Sequence, residues 1–141
     1  MNIFVTGAGG YIGGSVAMAL LAAGHRVRGL TRSTASAERL AKIGIDPVLG
    51  TLDDADALTR AARAADGVIN AASADHGGAV RALIAGLEGS GKPLLHTSGS
   101  SVIGDDARGN RRSESTFDDE YTPLVVNPSK QARRELDLMV L

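Results

Sequence analysis

The stretch that most constrains the fold of this chain lies at its N-terminus, in residues 2–14. Residues 3–5 are an apolar run of β-forming residues, which is typical of a strand buried in a parallel sheet. Glycines follow at positions 7, 9, 10, 13 and 14, and apolar residues recur at helical spacing, at Ile12, Val16, Leu20 and Ala23. The sequence therefore predicts a strand, a glycine-rich turn and a helix, the order that opens a parallel β-α-β unit.

The spacing of the glycines predicts what this turn binds. Gly-x-x-Gly-x-x-Gly fits at Gly7, Gly10 and Gly13, whereas Gly-x-Gly-x-x-Gly would need a glycine at position 12, which is isoleucine. The first glycine allows a sharp turn off the strand, the second leaves room for a diphosphate, and the third allows the helix to pack closely. The amides of Tyr11 and Ile12 would then face the anion at the helix N-terminus. The alternative is a glycine-rich turn without a ligand.

Residues 6–13, Thr-Gly-Ala-Gly-Gly-Tyr-Ile-Gly, carry a resemblance to a known family. They resemble the opening motif of the extended and atypical short-chain dehydrogenase/reductases, which include the NAD-dependent epimerase/dehydratases and their NmrA-like relatives. The resemblance implies that residues 1–141 are an NAD(P)-binding Rossmann domain, about the first half of such a protein, without its substrate lobe. The open sheet edge would then be covered by a second copy in a homodimer, or by another chain.

Strand and helix patterns alternate along the rest of the chain and predict an α/β fold. Strands are predicted at 27–30, 46–50, 67–72 and 93–98, with helices between them and a last helix that begins near Asn127 and Pro128. Right-handed crossovers then give a three-layer, doubly wound parallel sheet of about five strands in the order 3-2-1-4-5. The ligand crevice is expected between strands 1 and 4. The polar residues 105–121 predict a loop, either a solvated linker or a lid over the substrate.

The end of the second predicted strand bears on the choice between NAD and NADP. An acidic residue at this place accepts hydrogen bonds from the adenosine ribose of NAD, but here the sequence is Thr31-Arg32-Ser33. Arg32 can bind a 2′-phosphate in a bidentate manner, and the two hydroxyls add donors. We therefore expect NADP, with NAD as the other possibility. The alternative is that Arg32 is a solvated surface charge.

Further cofactor contacts are implied by the resemblance. The family usually has Asp-Leu against the adenine; here Thr51 stands in place of the aspartate and Leu52 remains. Ala71, Ala72 and Ser73 match the small residues that follow the fourth strand, where they leave space for the cofactor. The nearby Asp53 and Asp54 are expected to be helix N-caps.

The family's catalytic set of Ser or Thr, Tyr and Lys is incomplete in this sequence. Tyr and Lys stand four residues apart on one helix, where the tyrosine transfers a proton and the lysine lowers its pKa. Lys130 lies at the expected place, but the residue four positions before it is Val126, and Tyr121 is too distant to share its helical turn. The alternative is that Lys130 is a surface residue.

The serine of this set is also displaced. Counting back from Gly104, its position falls on Gly99, with Ser98 and Ser100 on either side. Either hydroxyl is a candidate after a small shift of the chain. The alternative is that both hydroxyls only cap the backbone.

Composition excludes several other function classes. The chain has 15 basic and 16 acidic residues and a net charge of −1, which argues against nucleic acid or an anionic membrane as partner. It contains no cysteine, so disulfides and thiolate chemistry are impossible, and no histidine spacing predicts a metal site. Because no signal peptide or membrane span is visible, a cytoplasmic protein is expected.

Two functions remain from the sequence. The first is an NADP-dependent oxidoreductase or epimerase-like enzyme that acts on an unknown small molecule and is atypical at its tyrosine position. The second is a dinucleotide-binding module without turnover, such as a redox-sensing regulator or a remnant domain. The fold does not distinguish between them.

Overall fold

The computed structural model describes residues 1–104, 110 and 126–141. Five parallel strands form one sheet: β1 Asn2–Thr6, β2 Arg26–Thr31, β3 Asp46–Leu49, β4 Gly67–Asn70 and β5 Leu94–His96. Five α-helices accompany them: α1 Tyr11–Ala22, α2 Thr34–Lys42, α3 Ala55–Ala64, α4 Gly77–Leu87 and α5 Gln131–Val140. Two 3₁₀ turns lie at Ser100–Val102 and Pro128–Lys130. The strand order is β3-β2-β1-β4-β5, as predicted. The predicted loop over 105–121 lies outside the described residues, except for position 110.

The sheet has a hydrophobic core on each face, which makes the fold three-layered. On one face, Phe4 and Val68 pack with Leu58 and Leu83 from α3 and α4. On the other face, the core combines β-strand residues with Ala17 of α1 and Leu40 of α2, and contains Ile3, Val5, Val27 and Ile45. Because β1 is central and its side chains alternate between the two cores, its carboxyl end lies in the middle of the sheet edge.

The inward face of α1 differs from the predicted one. Ile12 is exposed and Ala23 lies just beyond the helix, while the buried positions are Gly13 and Ala17. The helix lies so close to the sheet that its contact surface consists of small residues, which carry little hydrophobic signal. The apolar period therefore predicted the helix correctly and its inward face in part, because Leu20 packs against the core and Val16 is half-buried, whereas Ile12 is exposed.

The last helix also departs from its predicted pattern. The side chain of Asn127 accepts a hydrogen bond from the amide of Ser129, so it is a cap as predicted, but of a 3₁₀ turn that precedes α5. The apolar face that the sequence predicts for this helix consists of Ala132, Leu136, Met139 and Val140. Leu136 is buried and Val140 is half-buried, whereas Ala132 and Met139 are exposed. Two polar side chains of α5, Arg133 and Asp137, are also half-buried and are described with the site.

The β5 strand occupies one edge of the described sheet, and its Leu95 is exposed. A partner that covers this edge stays a prediction. Among the described residues, no helix is long and apolar enough to cross a membrane.

Candidate functional site

In the turn between β1 and α1, glycines allow main-chain segments to come into close contact. Gly7 has a φ of +74°, a left-handed conformation that favours glycine, and a Cβ there would lie 2.7 Å from the carbonyl oxygen of Ala71. A Cβ on Gly13 would overlap the carbonyl oxygen of Gly7. The glycines therefore allow the turn to touch both the start of α1 and the chain after β4. The sequence predicted this turn and a close contact at Gly13. That contact is with the backbone of the turn itself, at Gly7.

The first turn of α1 offers its amides to the outside. Gly10 is the N-cap residue and supplies no side chain, and no acidic residue lies in the first turn. Gly10 and Ile12 are exposed, and Tyr11 is 92% exposed. The amides of residues 11–13 precede the first intrahelical hydrogen bond, which Gly14 donates to the Gly10 carbonyl.

The next three helices begin differently, because a side chain caps the N-terminus of each. Ser33 accepts a hydrogen bond from an amide of α2, Asp54 from one of α3 and His76 from one of α4. The prediction that Asp54 is a cap is confirmed. Asp53 is not the cap; its carboxylate lies 3.1 Å from His76 Nε2 instead. The exposed N-terminus of α1 therefore contrasts with its capped neighbours.

A buried polar network forms the floor between the carboxyl ends of β1, β4 and β5. The Thr6 hydroxyl donates a hydrogen bond of 2.5 Å to Asn70 Oδ1, and Asn70 Nδ2 lies 2.9 Å from His96 Nδ1. Thr6 and Asn70 are fully buried. Asn70 also donates to the carbonyl oxygen of Ser73, which fixes the loop that follows β4. Sequence analysis missed this network, because its members are separated by 26 and 64 residues.

The end of β2 brings Arg32 beside a cluster of donors. Arg32 and Ser33 are exposed, whereas Thr31 is buried and its carbonyl accepts a hydrogen bond from Gly50. Ser33 donates to the Ser36 hydroxyl at 3.1 Å, and Arg39 donates to the same oxygen at 2.7 Å. A second arginine, which sequence analysis did not single out, therefore belongs to the cluster that contains Ser33.

The remaining predicted cofactor contacts line the loops after β3 and β4. Leu52 is half-buried and packs against the core. Ala71 is half-buried and Ala72 is exposed, and both follow β4, which ends at Asn70, earlier than predicted. The Ser73 hydroxyl accepts a hydrogen bond from the amide of Asp75. The resemblance placed the cofactor beside this loop, and the loop contacts Gly7.

The rim formed by β5 and α5 carries the predicted catalytic residues. Ser98 is exposed and donates a hydrogen bond of 2.8 Å to Asp137 of α5. Ser100 is exposed in the first 3₁₀ turn, and Lys130 ends the second. The other Asp137 oxygen lies 3.8 Å from His96 Nε2, and neither of these buried atoms has a hydrogen-bond partner among the described residues.

Arg133 of α5 ties this rim to the loop after β4. Its Nε donates to Asp75 Oδ1 at 2.7 Å, its Nη2 pairs with Asp75 Oδ2, and its Nη1 donates to the Ser101 hydroxyl at 2.8 Å. This hydrogen bonding lowers the pKa of Asp75, and the positive charge of Lys130 lowers it further. The same contact raises the pKa of Arg133, so its guanidinium keeps its charge. Sequence analysis missed both residues.

These features define what the crevice offers chemically. It has backbone amides at one end, a buried polar floor in the middle, and charged and hydroxyl groups on the β5–α5 rim. No group of three or more His, Cys, Asp or Glu residues suited to a metal ion occurs within the described ranges. The arrangement suits an elongated ligand whose anionic group lies at the glycine turn.

Comparisons with known proteins agree with this geometry. An oxidase, ucsJ, of an Acremonium species is 43% identical over 138 residues, which cover 89% of this chain and 40% of that protein. A ketoreductase of Stigmatella aurantiaca is 38% identical over 73 residues, which cover 52% of this chain and 22% of that protein. It is named as the 4-hydroxy-2-methyl-3-oxo-4-farnesyl-3,4-dihydroquinoline-1-oxide ketoreductase.

A solved structure extends the match over the whole fold. A short-chain dehydrogenase/reductase superfamily protein from Agrobacterium tumefaciens, with bound NAD, superposes with a TM-score of 0.67 and 25% identity, over 99% of this chain and 44% of that chain. The chain spans about two fifths of the length of the first curated relatives it matches. The model of the NmrA-like family matches residues 1–93. The chain therefore belongs to the NmrA-like family.

Proposed function

We propose that this chain binds a nicotinamide dinucleotide and is the cofactor-binding part of an oxidoreductase or epimerase-like enzyme of the short-chain dehydrogenase/reductase type. The observation that carries the proposal is the uncapped N-terminus of α1 behind a turn of glycines. Helix N-termini with free amides bind phosphate groups, and the neighbouring helices use side chains where α1 has none. The NmrA-like family membership and the NAD-bound relative support the same class of ligand.

The cofactor would lie across the crevice with its diphosphate on the glycine turn. Gly7, Gly10 and Gly13 keep the backbone bare, and the amides of Tyr11 and Ile12 would bind the diphosphate oxygens. Leu52 would lie against the adenine, and Ala71, Ala72 and Ser73 would border the ribose and nicotinamide. When bound, the nicotinamide supplies or accepts a hydride, which no side chain of this protein can do.

NADP is the proposed cofactor because the end of β2 is basic. Arg32 is exposed where a carboxylate would repel a 2′-phosphate, and the Ser33 hydroxyl is beside it. Arg39 reaches this cluster through Ser36 and would add a second positive charge. Thr31 is buried at the strand end, so the donors proposed for the 2′-phosphate are Arg32 and the Ser33 hydroxyl.

A second function, dinucleotide binding without turnover, is favoured by one observation. Val126 stands where the resemblance expects the proton-transferring tyrosine, and position 99 has no hydroxyl. In the enzyme, Lys130 would contact the cofactor ribose and Ser98 or Ser100 would face the substrate. Ser98 is already engaged with Asp137, so Ser100 has the freer hydroxyl of the two within the described residues.

The experiment that tests the function is oxidation of NADPH and NADH by the purified protein with a panel of aldehydes and ketones. Turnover above the rate without protein supports the enzyme, and faster turnover with NADPH supports the NADP preference. Saturable binding of either dinucleotide without turnover of any member favours the binding module. Absence of binding contradicts both. The proposed cytoplasmic location is tested by cell fractionation.

A further inference from the structure

A glycine at the carboxyl end of β5 leaves room for an arginine side chain from α5. A Cβ built on Gly99 would overlap Nη1 of Arg133, so the guanidinium occupies the space that a side chain at position 99 would fill. This position follows β5, so it lies at the same edge of the parallel sheet as the glycine turn, which follows β1. Any residue other than glycine at position 99 would displace the guanidinium.

The guanidinium is held in place from two sides. Asp75 fixes Nε and Nη2, and Ser101 fixes Nη1 at 2.8 Å, while only 17% of the arginine side chain is exposed. These contacts come from two loops, one after β4 and one after β5. They use three of the five N–H groups of the arginine with residues that the structure describes, so two donors remain for a ligand. A donor fixed in this way binds a ligand without first losing side-chain freedom.

The charges on this rim favour an uncharged ligand group. Lys130 and Arg133 are the cations that act on Asp75, and Asp75 and Asp137 are the carboxylates that act on Arg133. Among the residues that the structure describes, these two positive and two negative charges balance, so they leave no surplus to attract an anion. A carbonyl oxygen accepts hydrogen bonds without a formal charge, and a charged donor strengthens such a bond.

We propose that Arg133 is a substrate-binding residue that donates a hydrogen bond to the carbonyl oxygen of a neutral aldehyde or ketone. The proposal deepens and rests on the proposed oxidoreductase function. Arg133 supplies the donor that position 99 lacks, because its guanidinium lies where that side chain would be. Its role is to bind and orient the carbonyl, and it keeps its own protons.

The direct test is a titration with isobutyramide, a neutral carbonyl compound that serves as an unreactive probe. Uniformly ¹⁵N-labelled protein is titrated with and without NADPH, and the Nε–Hε signal of Arg133 is followed by NMR. The signal is assigned from its absence in Arg133→Lys. A saturable shift of this signal is expected in both series, and acetate, an anion of similar size, is expected to shift it at least tenfold more weakly.

Variants then separate a ligand role from a structural one. Arg133→Ala is expected to weaken isobutyramide at least about tenfold, the loss of a hydrogen bond from a charged donor. Arg133→Lys is expected to recover part of the binding. Gly99→Ser should weaken the probe through displacement of the guanidinium, and Gly99→Ser with Arg133→Ala should bind it no more weakly than Arg133→Ala alone. Arg134→Ala on the same helix is the matched control and should leave the probe unaffected.

Three results would overturn the proposal: unchanged affinity in Arg133→Ala, tighter binding in Arg133→Ala, or preference for acetate. Calorimetry with NADPH on each variant distinguishes this failure from failure of the proposed function. Wild-type protein that binds isobutyramide through Arg133 but no dinucleotide would contradict the proposed function and leave the arginine contact supported. Protein that binds NADPH while isobutyramide leaves the Arg133 signal unchanged would support the proposed function and contradict the arginine contact.

Discussion

The glycine turn between β1 and α1 and the rim between β5 and α5 face the same crevice but are built in opposite ways. The turn is backbone from one short stretch, and its tight contacts are between main-chain atoms of residues 7–13 and the chain after β4. The rim consists of side chains from distant segments: Arg133 is 58 residues from Asp75, and Asp137 is 39 from Ser98. Backbone cannot move aside for a new Cβ, whereas the end of an arginine side chain can.

This difference separates what each region does. The turn depends on the absence of side chains, which suits a ligand common to a whole family. The rim depends on particular side chains, which suits whatever this protein binds beside that ligand. Substitutions of the same chemical kind should therefore have unequal effects in the two regions.

The largest effect is expected from Gly13→Ala in the turn. Its Cβ would overlap the Gly7 carbonyl, and neither backbone segment has room to retreat, so the free energy of unfolding should fall by about 3 kcal/mol or more. Gly99→Ala on the rim should cost only about 1 kcal/mol, because the overlapping atom is the far end of the Arg133 side chain, which can move aside with the loss of its contacts to Asp75 and Ser101. Urea denaturation measures both, with Gly9→Ala, whose Cβ meets nothing within 4 Å, as the control. Equal losses at positions 13 and 99 would contradict the comparison.

The next largest loss of stability is expected in the buried polar network of Thr6, Asn70 and His96. Asn70→Ala leaves Thr6 and His96 without their described partner in a buried place, and should lower the free energy of unfolding by about 2–3 kcal/mol. Asn2→Ala, at the exposed start of β1, should change it by less than about 0.5 kcal/mol. Urea denaturation of both variants is the measurement. A loss below about 0.5 kcal/mol in Asn70→Ala would mean that the network contributes little to stability.

A smaller effect is expected in cofactor selectivity. Arg32→Ala should weaken NADPH about tenfold, or about 1.4 kcal/mol, through the loss of a charge-assisted contact to the 2′-phosphate. NADH, which lacks this phosphate, should change less than about twofold. Fluorescence titration with both dinucleotides measures the effect, and Arg60→Ala, an exposed arginine on α3, is the matched control. Equal weakening of NADPH and NADH would rule out the phosphate contact.

The smallest effect is a pH dependence of stability at the rim. The pKa of Asp75 is lowered from its ordinary value of 3.8, chiefly by its hydrogen bonds to Arg133. A lowered pKa in the folded state adds stability above the ordinary value, and this addition is lost as the pH falls through the folded value. Asp75→Asn should therefore be slightly less stable than wild type at pH 6, and the gap should close below about pH 4. Thermal unfolding between pH 2 and pH 6 measures it, and a gap that does not narrow as the pH falls below about 4 would contradict the ionic origin.

The sequence predicted those parts of the molecule that depend on neighbouring residues. The alternating strands and helices, the glycine turn and the Asp54 cap were all predicted from short stretches, since periodicity and turn chemistry are local properties. The strand order then followed from the handedness of the crossovers. The inward face of α1 was predicted only in part: Leu20 packs against the core as predicted, but the fully buried positions are the small residues Gly13 and Ala17, which carry little hydrophobic signal.

The rim could not be predicted in the same way. Arg133 and Asp137 lie on the inward side of α5, where hydrophobic periodicity predicts apolar residues, and their partners follow other strands. The pairing depends on the topology, which brings the ends of β4 and β5 beside α5. The glycine at position 99 could have indicated this arrangement. The family resemblance expects a hydroxyl residue there, and a missing side chain leaves space that a side chain from another segment can occupy.

Isothermal titration calorimetry of wild-type protein and Gly10→Val with NADPH and NADH tests the central claim most directly. Gly10 is exposed and a Cβ there would lie 3.3 Å from the Gly7 carbonyl, so the variant should fold while its side chain fills the place of the diphosphate. We predict saturable heat for wild type and none for Gly10→Val, at a temperature at which circular dichroism shows that both proteins are folded. Wild-type protein that gives no heat with either dinucleotide, or a variant that binds as tightly as wild type, would contradict the account.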